Sequence, residues 1–215
     1  METGQSEEQG VSRRDKRRAA ILEAAHQLFL ERGYGATTLG DVVRISGGSL
    51  ATLYDLFDGK EGLFRAVVAE QCAHLAQSLA VIETTDQPPA TVLRRFAEHI
   101  FDVVLGRNGI ALLRQVIAEA TQFPELGQAL FTAGVEVIQA RIMSYLVKQT
   151  QAGQLNVDRP DLAAIIFGEL VFQHFRMRLL CGVPVDLSPA AKSAHLEYVM
   201  DIFLRIYGPS PAVQP

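Results

Sequence analysis

Five basic side chains fall within six positions: Arg13, Arg14, Lys16, Arg17 and Arg18. A cluster of that density has one kind of chemistry open to it, which is to neutralise a polyanion or else face solvent. At the head of a helix it also meets the positive end of the helix dipole, which adds to its need for a counter-charge. Further along, the stretch LATLYDLF (50–57) offers a hydroxyl, a phenol and a carboxylate in Thr52, Tyr54 and Asp55. Side chains that would serve catalysis are not arranged for it. His26, His74, His99, His174 and His195 form no HExxH or comparable metal spacing. Cys72 and Cys181 stand far apart with no CxxC, which argues against a zinc site or disulfide framework and for a reducing, cytoplasmic setting. No glycine-rich phosphate loop follows a strand, and no GxSxG elbow occurs. Glu169 and His174 are an acid and a base five residues apart, so on a regular helix they diverge. The expectation is a protein that is not an enzyme and needs no cofactor or metal.

The elements that would position the basic cluster are helices. Of 215 residues, 48% are hydrophobic and 20% charged, enough apolar content for a sizeable core and too much for a disordered chain. Glycine and proline gather at a few points and no long alternating apolar run appears, so the fold expected is all-α with about nine helices. Ser12 caps a first helix carrying Ile21, Leu22, Ala25, Leu28 and Phe29, stopped by Gly33 and Gly35. Thr37 or Thr38 caps a second, Leu39 to Ile45, and Ser49 caps a third, Leu50 to Phe57. A fourth runs from Lys60 to Ile82, and TTDQPP (84–89) reads as a linker. Beyond it the pattern predicts helices at Pro89–Leu105, Gly109–Thr121, Pro124–Ala152, Asp158–Cys181 and Ser188–Tyr207. No charge-free run exceeds the twelve residues from Gln71 to Ile82, so no membrane span is expected. The polar N-terminus lacks the apolar segment of a secretory signal.

The net charge of −4 conceals a division. Residues 1–10 carry −3, residues 11–65 carry +2, and residues 66–215 carry −3. Residues 12–65 therefore read as a basic three-helix domain, and residues 66–208 as a larger helical domain. Disorder is expected for 1–11 and for 209–215. Two helices of about seven residues joined by ISGGS have the spacing of a helix-turn-helix, with Gly47 tolerating the positive φ of the turn. Val42 and Ile45 on the first, and Leu53 and Phe57 on the second, are the expected inward anchors.

The segment from Arg18 to Val68 resembles the DNA-binding domain of the TetR family of transcriptional regulators. The match rests on ILEAAHQLFLERGYGATTL (21–39), ATLYDLF (51–57) and GKEGLF (59–64), in the family's order and spacing. More weakly, FPELGQALFTAGVEVIQARI (123–142) and the stretch from LAAIIFGEL to HFRMRLLCG (162–182) resemble an AefR-type, efflux-associated branch. The resemblance implies that Thr38, Tyr54 and Lys60 contact phosphates, and that Ala51 and Thr52 reach bases or the sugar–phosphate backbone. Arg44 is a further candidate phosphate contact. The chain departs from the family at Leu50, Asp55 and Leu56, where polar, basic or aromatic residues are usual, and at Gly48 in the turn. Leu50 and Leu56 suit thymine methyl groups or burial, and Asp55 suits a cytosine amino group. Arg13, Arg14 and Arg17 are then expected to form an arm along the phosphate backbone or minor groove.

For the second domain the resemblance implies a homodimer through helices 158–181 and 188–207, and an enclosed effector. The run LAAIIFGELVFQHFRMRLL is apolar on more than one face, as a helix serving both its own core and a partner requires. The last helix carries Leu196, Val199, Met200, Phe203 and Leu204 as a stripe suited either to the dimer or to its own core, and the dimer is the reading preferred here. Polar residues set in apolar stripes, namely His99, Gln139, Glu169, Gln173 and His174, together with Phe96, are the candidate pocket. Phe64, Phe101, Phe131, Phe167 and Phe172 would add apolar lining, so a small hydrophobic or aromatic effector is expected. The function expected is a repressor that binds a pseudo-palindromic double-stranded operator as a homodimer and is released by that effector. Two alternatives stand beside it: a TetR-like regulator controlled by a protein partner, and a small-molecule-binding helical protein whose DNA module has degenerated.

Overall fold

The computed structural model describes residues 12–83 and 87–209. The expected disorder of 1–11 and, Pro209 excepted, of 209–215 lies outside these residues, as does half of the TTDQPP linker. Among them there are ten α-helices, one π-helical turn and no strand. The chain divides into two compact units, the first ending at Val67 and the second beginning at Val68.

The first unit holds α1 (Arg13–Arg32), α2 (Leu39–Ser46), α3 (Leu50–Phe57) and the start of α4 (Lys60–Glu83). Each short helix starts where a hydroxyl satisfies its free amide groups. Ser12 and Asp15 form a reciprocal capping box at α1, and Thr38 and Asp41 form another at α2. At α3 the Ser49 hydroxyl accepts from the Thr52 amide at 3.2 Å. Asp58 ends α3 in the left-handed region, with φ 57°. The core of the unit is an aromatic trio, Phe29, Tyr34 and Phe64, with ring centroids 5.3–5.5 Å apart. Leu22, Ala25, Leu28, Val42, Leu53 and Phe57 complete it. Thr37 is buried here too, and its hydroxyl donates toward the Leu28 and Gly33 carbonyls, which fixes the chain's entry into α2.

The second unit holds the rest of α4, then α5 (Pro89–Leu105), α6 (Arg107–Glu119) and α7 (Pro124–Leu130). A π turn (Phe131–Val135) follows, with α8 (Glu136–Gln151), α9 (Pro160–Leu180) and α10 (Pro189–Tyr207). The segment read from sequence as one helix, 124–152, is continuous but divided by the π turn. At Gly134 in this turn a Cβ would lie 3.0 Å from the Cys72 sulfur on α4. The run Pro124–Gln151, 28 residues long, is the one described helix long and apolar enough to cross a membrane. It carries Glu136 and Arg141, and it packs against α6 and α9.

The core of this unit is built by α5, α8, α9 and α10: Phe96 against Tyr145, Phe101 against Phe175, and Phe167 against Phe203. Two expectations change here. The α10 stripe of Leu196, Val199, Met200 and Phe203 is buried in this core and is not a partner surface. The phenylalanines expected to line one pocket are dispersed. Phe64 belongs to the first unit, Phe131 is exposed, and Phe172 lies under the Arg176 guanidinium.

Candidate nucleic-acid interface

On α3 the buried and presented faces separate cleanly. Leu53 and Phe57 point into the unit, while Leu50, Ala51, Tyr54 and Asp55 are exposed and Thr52 and Leu56 are half-buried. Helical periodicity forces this: Leu53 and Phe57 are one turn apart, and Asp55 lies diametrically opposite their mean direction. Burial and base contact were both open for Leu50, and its outward position leaves it available to a partner. The Ser49 hydroxyl lies 3.0 Å from that of Thr52, so the first turn of α3 is ordered by its own cap.

The turn between α2 and α3 has two consecutive glycines at positive φ, 76° at Gly47 and 93° at Gly48. A side chain at either would be strained, and its Cβ would come within 3.4 Å of the Arg17 guanidinium. Gly48, where a β-branched anchor is usual in the family, holds a positive φ that such residues rarely adopt. The Arg17 Nη1 donates to the Ser46 carbonyl at 3.1 Å, closing the last turn of α2. Val42 anchors α2 as expected, but Ile45 does not: it is 47% exposed. On an eight-residue helix the packed face runs through Leu39, Val42 and Ser46, and Ile45 falls well to one side of it.

The basic cluster is not an extended arm. It forms the opening turns of α1, and three of its members turn toward the unit itself. Arg17 clamps the turn, Arg18 stacks on Phe57 at 5.6 Å, and Arg14 sits 3.6 Å from the Asp55 carboxylate. Arg13 is exposed on the same helix start. None of these internal contacts was legible in the spacing, because each joins residues remote in sequence.

Thr38, one of the two residues expected to cap α2, does so. Its hydroxyl accepts from the Asp41 amide at 3.1 Å and donates to the Asp41 carboxylate at 2.6 Å, and its own N–H donates to that carboxylate at 3.3 Å. The groups expected to face phosphate are engaged in the cap. Those bonds, the Thr38 hydroxyl first, hold the Asp41 carboxyl below the usual carboxylate range, helped by Arg44 and Arg32. Arg44 lies 3.5 Å from Asp41 with its side chain mostly exposed. Lys60 donates to the Gly35 carbonyl at 3.2 Å and lies 4.3 Å over the Tyr34 ring, so it tethers the 33–36 turn.

The residues expected to form a pocket separate into two sets. Phe96 is fully buried against Tyr145, His99 one turn later has a buried Nε2 with no hydrogen bond, and Gln139 is half-buried on α8. On α9 the other three are exposed. Glu169 and Gln173 both bind Arg176, at 3.0 Å for the Glu169 oxygen, and His174 packs edge-on against Phe175. That α9 face also presents Leu162, Ile165, Ile166 and Met177, opposite the buried Ala163, Ala164, Phe167 and Val171. Among the described residues no cluster of three metal-capable side chains occurs.

Residues 21–67 match the family described as bacterial regulatory proteins of the tetR family. Residues 91–209, more than half the chain, match the C-terminal domain of AefR-like transcriptional repressors. The chain belongs to the TetR family of transcriptional regulators. Among its TetR-family relatives is the repressor AcnR of Corynebacterium diphtheriae, 36% identical over 186 residues, covering 86% of this chain and 88% of that protein. The flavonoid-responsive regulator FrrA superposes with a TM-score of 0.74 and 29% identity, covering 91% of this chain and 99% of its own. A TetR-family regulator from Mesorhizobium loti superposes with a TM-score of 0.80 at 24% identity, covering 92% and 99%, and shows the same fold. α2 and α3 both lie within the residues that match the tetR-family model.

Proposed function

We propose that this TetR-family regulator is a ligand-responsive repressor, binding a pseudo-palindromic operator as a homodimer and leaving it when a small aromatic or hydrophobic effector enters the second unit. The observation that carries the DNA half of this reading is the separation of faces on α3. Leu53 and Phe57 fix the helix, and Leu50, Ala51, Thr52, Tyr54 and Asp55 are left for the major groove. Tyr54 and Lys60 are assigned to phosphates, with Arg13 and Arg44 beside them. Thr38 and Arg17 act mainly by holding the ends of α2.

The homodimer is supported by the outer face of α9. Four large apolar side chains on one stripe is unusual for a face that meets water alone, and the polar network of Glu169, Gln173 and Arg176 could set the register. α10 would contribute its own outer residues, Tyr198 and Ile206, since its apolar stripe is used internally. Two-fold symmetry would set two α3 helices about one DNA turn, ~34 Å, apart.

The effector half rests on His99, whose buried Nε2 has no hydrogen bond and which follows Phe96, the partner of Tyr145, by three residues on α5. A ligand with an aromatic ring and a polar substituent would suit both. The likeness to the flavonoid-responsive FrrA favours that class. α4 begins in the first unit and ends in the second, so effector-induced movement of α4 would couple the two. The test is selection of bound fragments from genomic DNA, repeated with flavonoids present. Enrichment of a palindromic site, lost on adding a flavonoid and retained in His99→Ala, is the expected result. Enrichment indifferent to aromatic compounds would transfer control to a protein partner.

A further inference from the structure

From the contact between Arg14 and Asp55, we infer that Asp55 reads a cytosine in each half-site and that Arg14 is the positioning residue which lets a carboxylate do so. The inference rests on the reading of α3 as the recognition helix. Asp55 is the only charged residue on α3, it lies at the centre of the presented face, and Ala51 one turn earlier is too small to cover it. A bare carboxylate there would be repelled by phosphates on both sides of the groove.

Arg14 supplies the counter-charge from α1, at 3.6 Å and with both side chains about three-quarters exposed (71% and 74%). Such a pair contributes little to the stability of the free protein, since water screens it. Its weight falls on the bound state, where solvent is displaced and both charges face the duplex. The neutralised carboxylate is an acceptor without a donor of its own. In the major groove the donors are the amino groups of cytosine and adenine, and adenine places its N7 acceptor beside that amino group. Cytosine has no such acceptor on its own edge, so it is the base an aspartate selects.

The test is selection from a randomised duplex pool with the full chain, comparing wild type with Arg14→Ala, Asp55→Asn, the double variant and Thr52→Ala. Wild type is expected to enrich cytosine at one position of each half-site. Asp55→Asn should lose that preference and keep the rest of the site. Arg14→Ala should keep the preference and bind about tenfold more weakly, and adding Asp55→Asn should recover most of the loss. Melting temperatures should stay unchanged, which separates these effects from misfolding. An unchanged cytosine preference in Asp55→Asn, or a full Arg14→Ala loss persisting in the double variant, overturns the inference. If Thr52→Ala still alters site preference in that case, the helix-turn-helix reading survives. If no variant changes affinity or preference, that reading falls as well.

Discussion

Asp41 shows how the candidate interface depends on side chains that hold its helices in place. Its carboxylate caps α2, and the Thr38 bonds that hold its pKa down also link folding to pH. A carboxyl depressed in the folded state contributes stability above its unfolded value, and that contribution is lost as pH falls through the lower folded value. Thr38→Val should therefore destabilise the first unit at neutral pH and flatten its acid unfolding limb, read by thermal melts from pH 6 down to pH 2. An acid limb identical to wild type would deny the cap that role. Lys60 makes a second case. Its contacts to Gly35 and Tyr34 mean that Lys60→Ala should cost up to about 1 kcal/mol of stability as well as weakening binding to all DNA sequences alike. A loss confined to one operator would contradict the phosphate assignment. Spacing made Thr38, Ser49 and Lys60 legible, because caps and motif positions are local. It did not reveal that Arg14 and Arg17 turn inward, because their partners, Asp55 and Ser46, stand 41 and 29 positions away and only folding brings them near.

At the scale of elements, α3 was readable to the residue, Leu50–Phe57, since a hydroxyl cap and the Asp58–Gly59 break bound it. The π turn was not. Nothing in FTAGV departs from a helical pattern, and the close approach of Cys72 on α4 to Gly134 joins residues remote in sequence. Ordinarily Gly→Ala inside a helix stabilises by up to about 1 kcal/mol. Gly134→Ala should instead destabilise by about 1–3 kcal/mol, because the added methyl would meet the Cys72 sulfur, and Cys72→Ala should relieve most of it. Denaturant midpoints of the two single variants and the double decide this, and a stabilising Gly134→Ala would mean that α4 is not packed there. The α10 stripe teaches a related point. A single apolar stripe shows that a helix is buried against something, and only the neighbours reveal that Leu196, Val199, Met200 and Phe203 meet their own core. The two-faced α9 carried more information, because one of its apolar faces remains after the core is satisfied.

For the whole molecule, with residues 1–10 set aside, residues 11–65 of the first unit carry +2 and residues 66–215 carry −3. In the proposed function the first unit reads DNA, and the second pairs and responds to the effector. If α9 forms the dimer, Ile165→Glu should place a charge in that interface and yield a folded monomer with operator affinity reduced by more than about tenfold, since both half-sites must be engaged together. Sedimentation of the variant tests this, and an unchanged dimer would move the interface elsewhere. The central claim, that two copies of α3 read one operator, is tested most directly by titrating the full chain into its selected DNA fragment and into a scrambled copy at rising salt. The account predicts two chains per fragment, affinity falling with salt for both duplexes, and a preference for the true site that persists throughout. Equal affinity for the two duplexes at every salt concentration would contradict it.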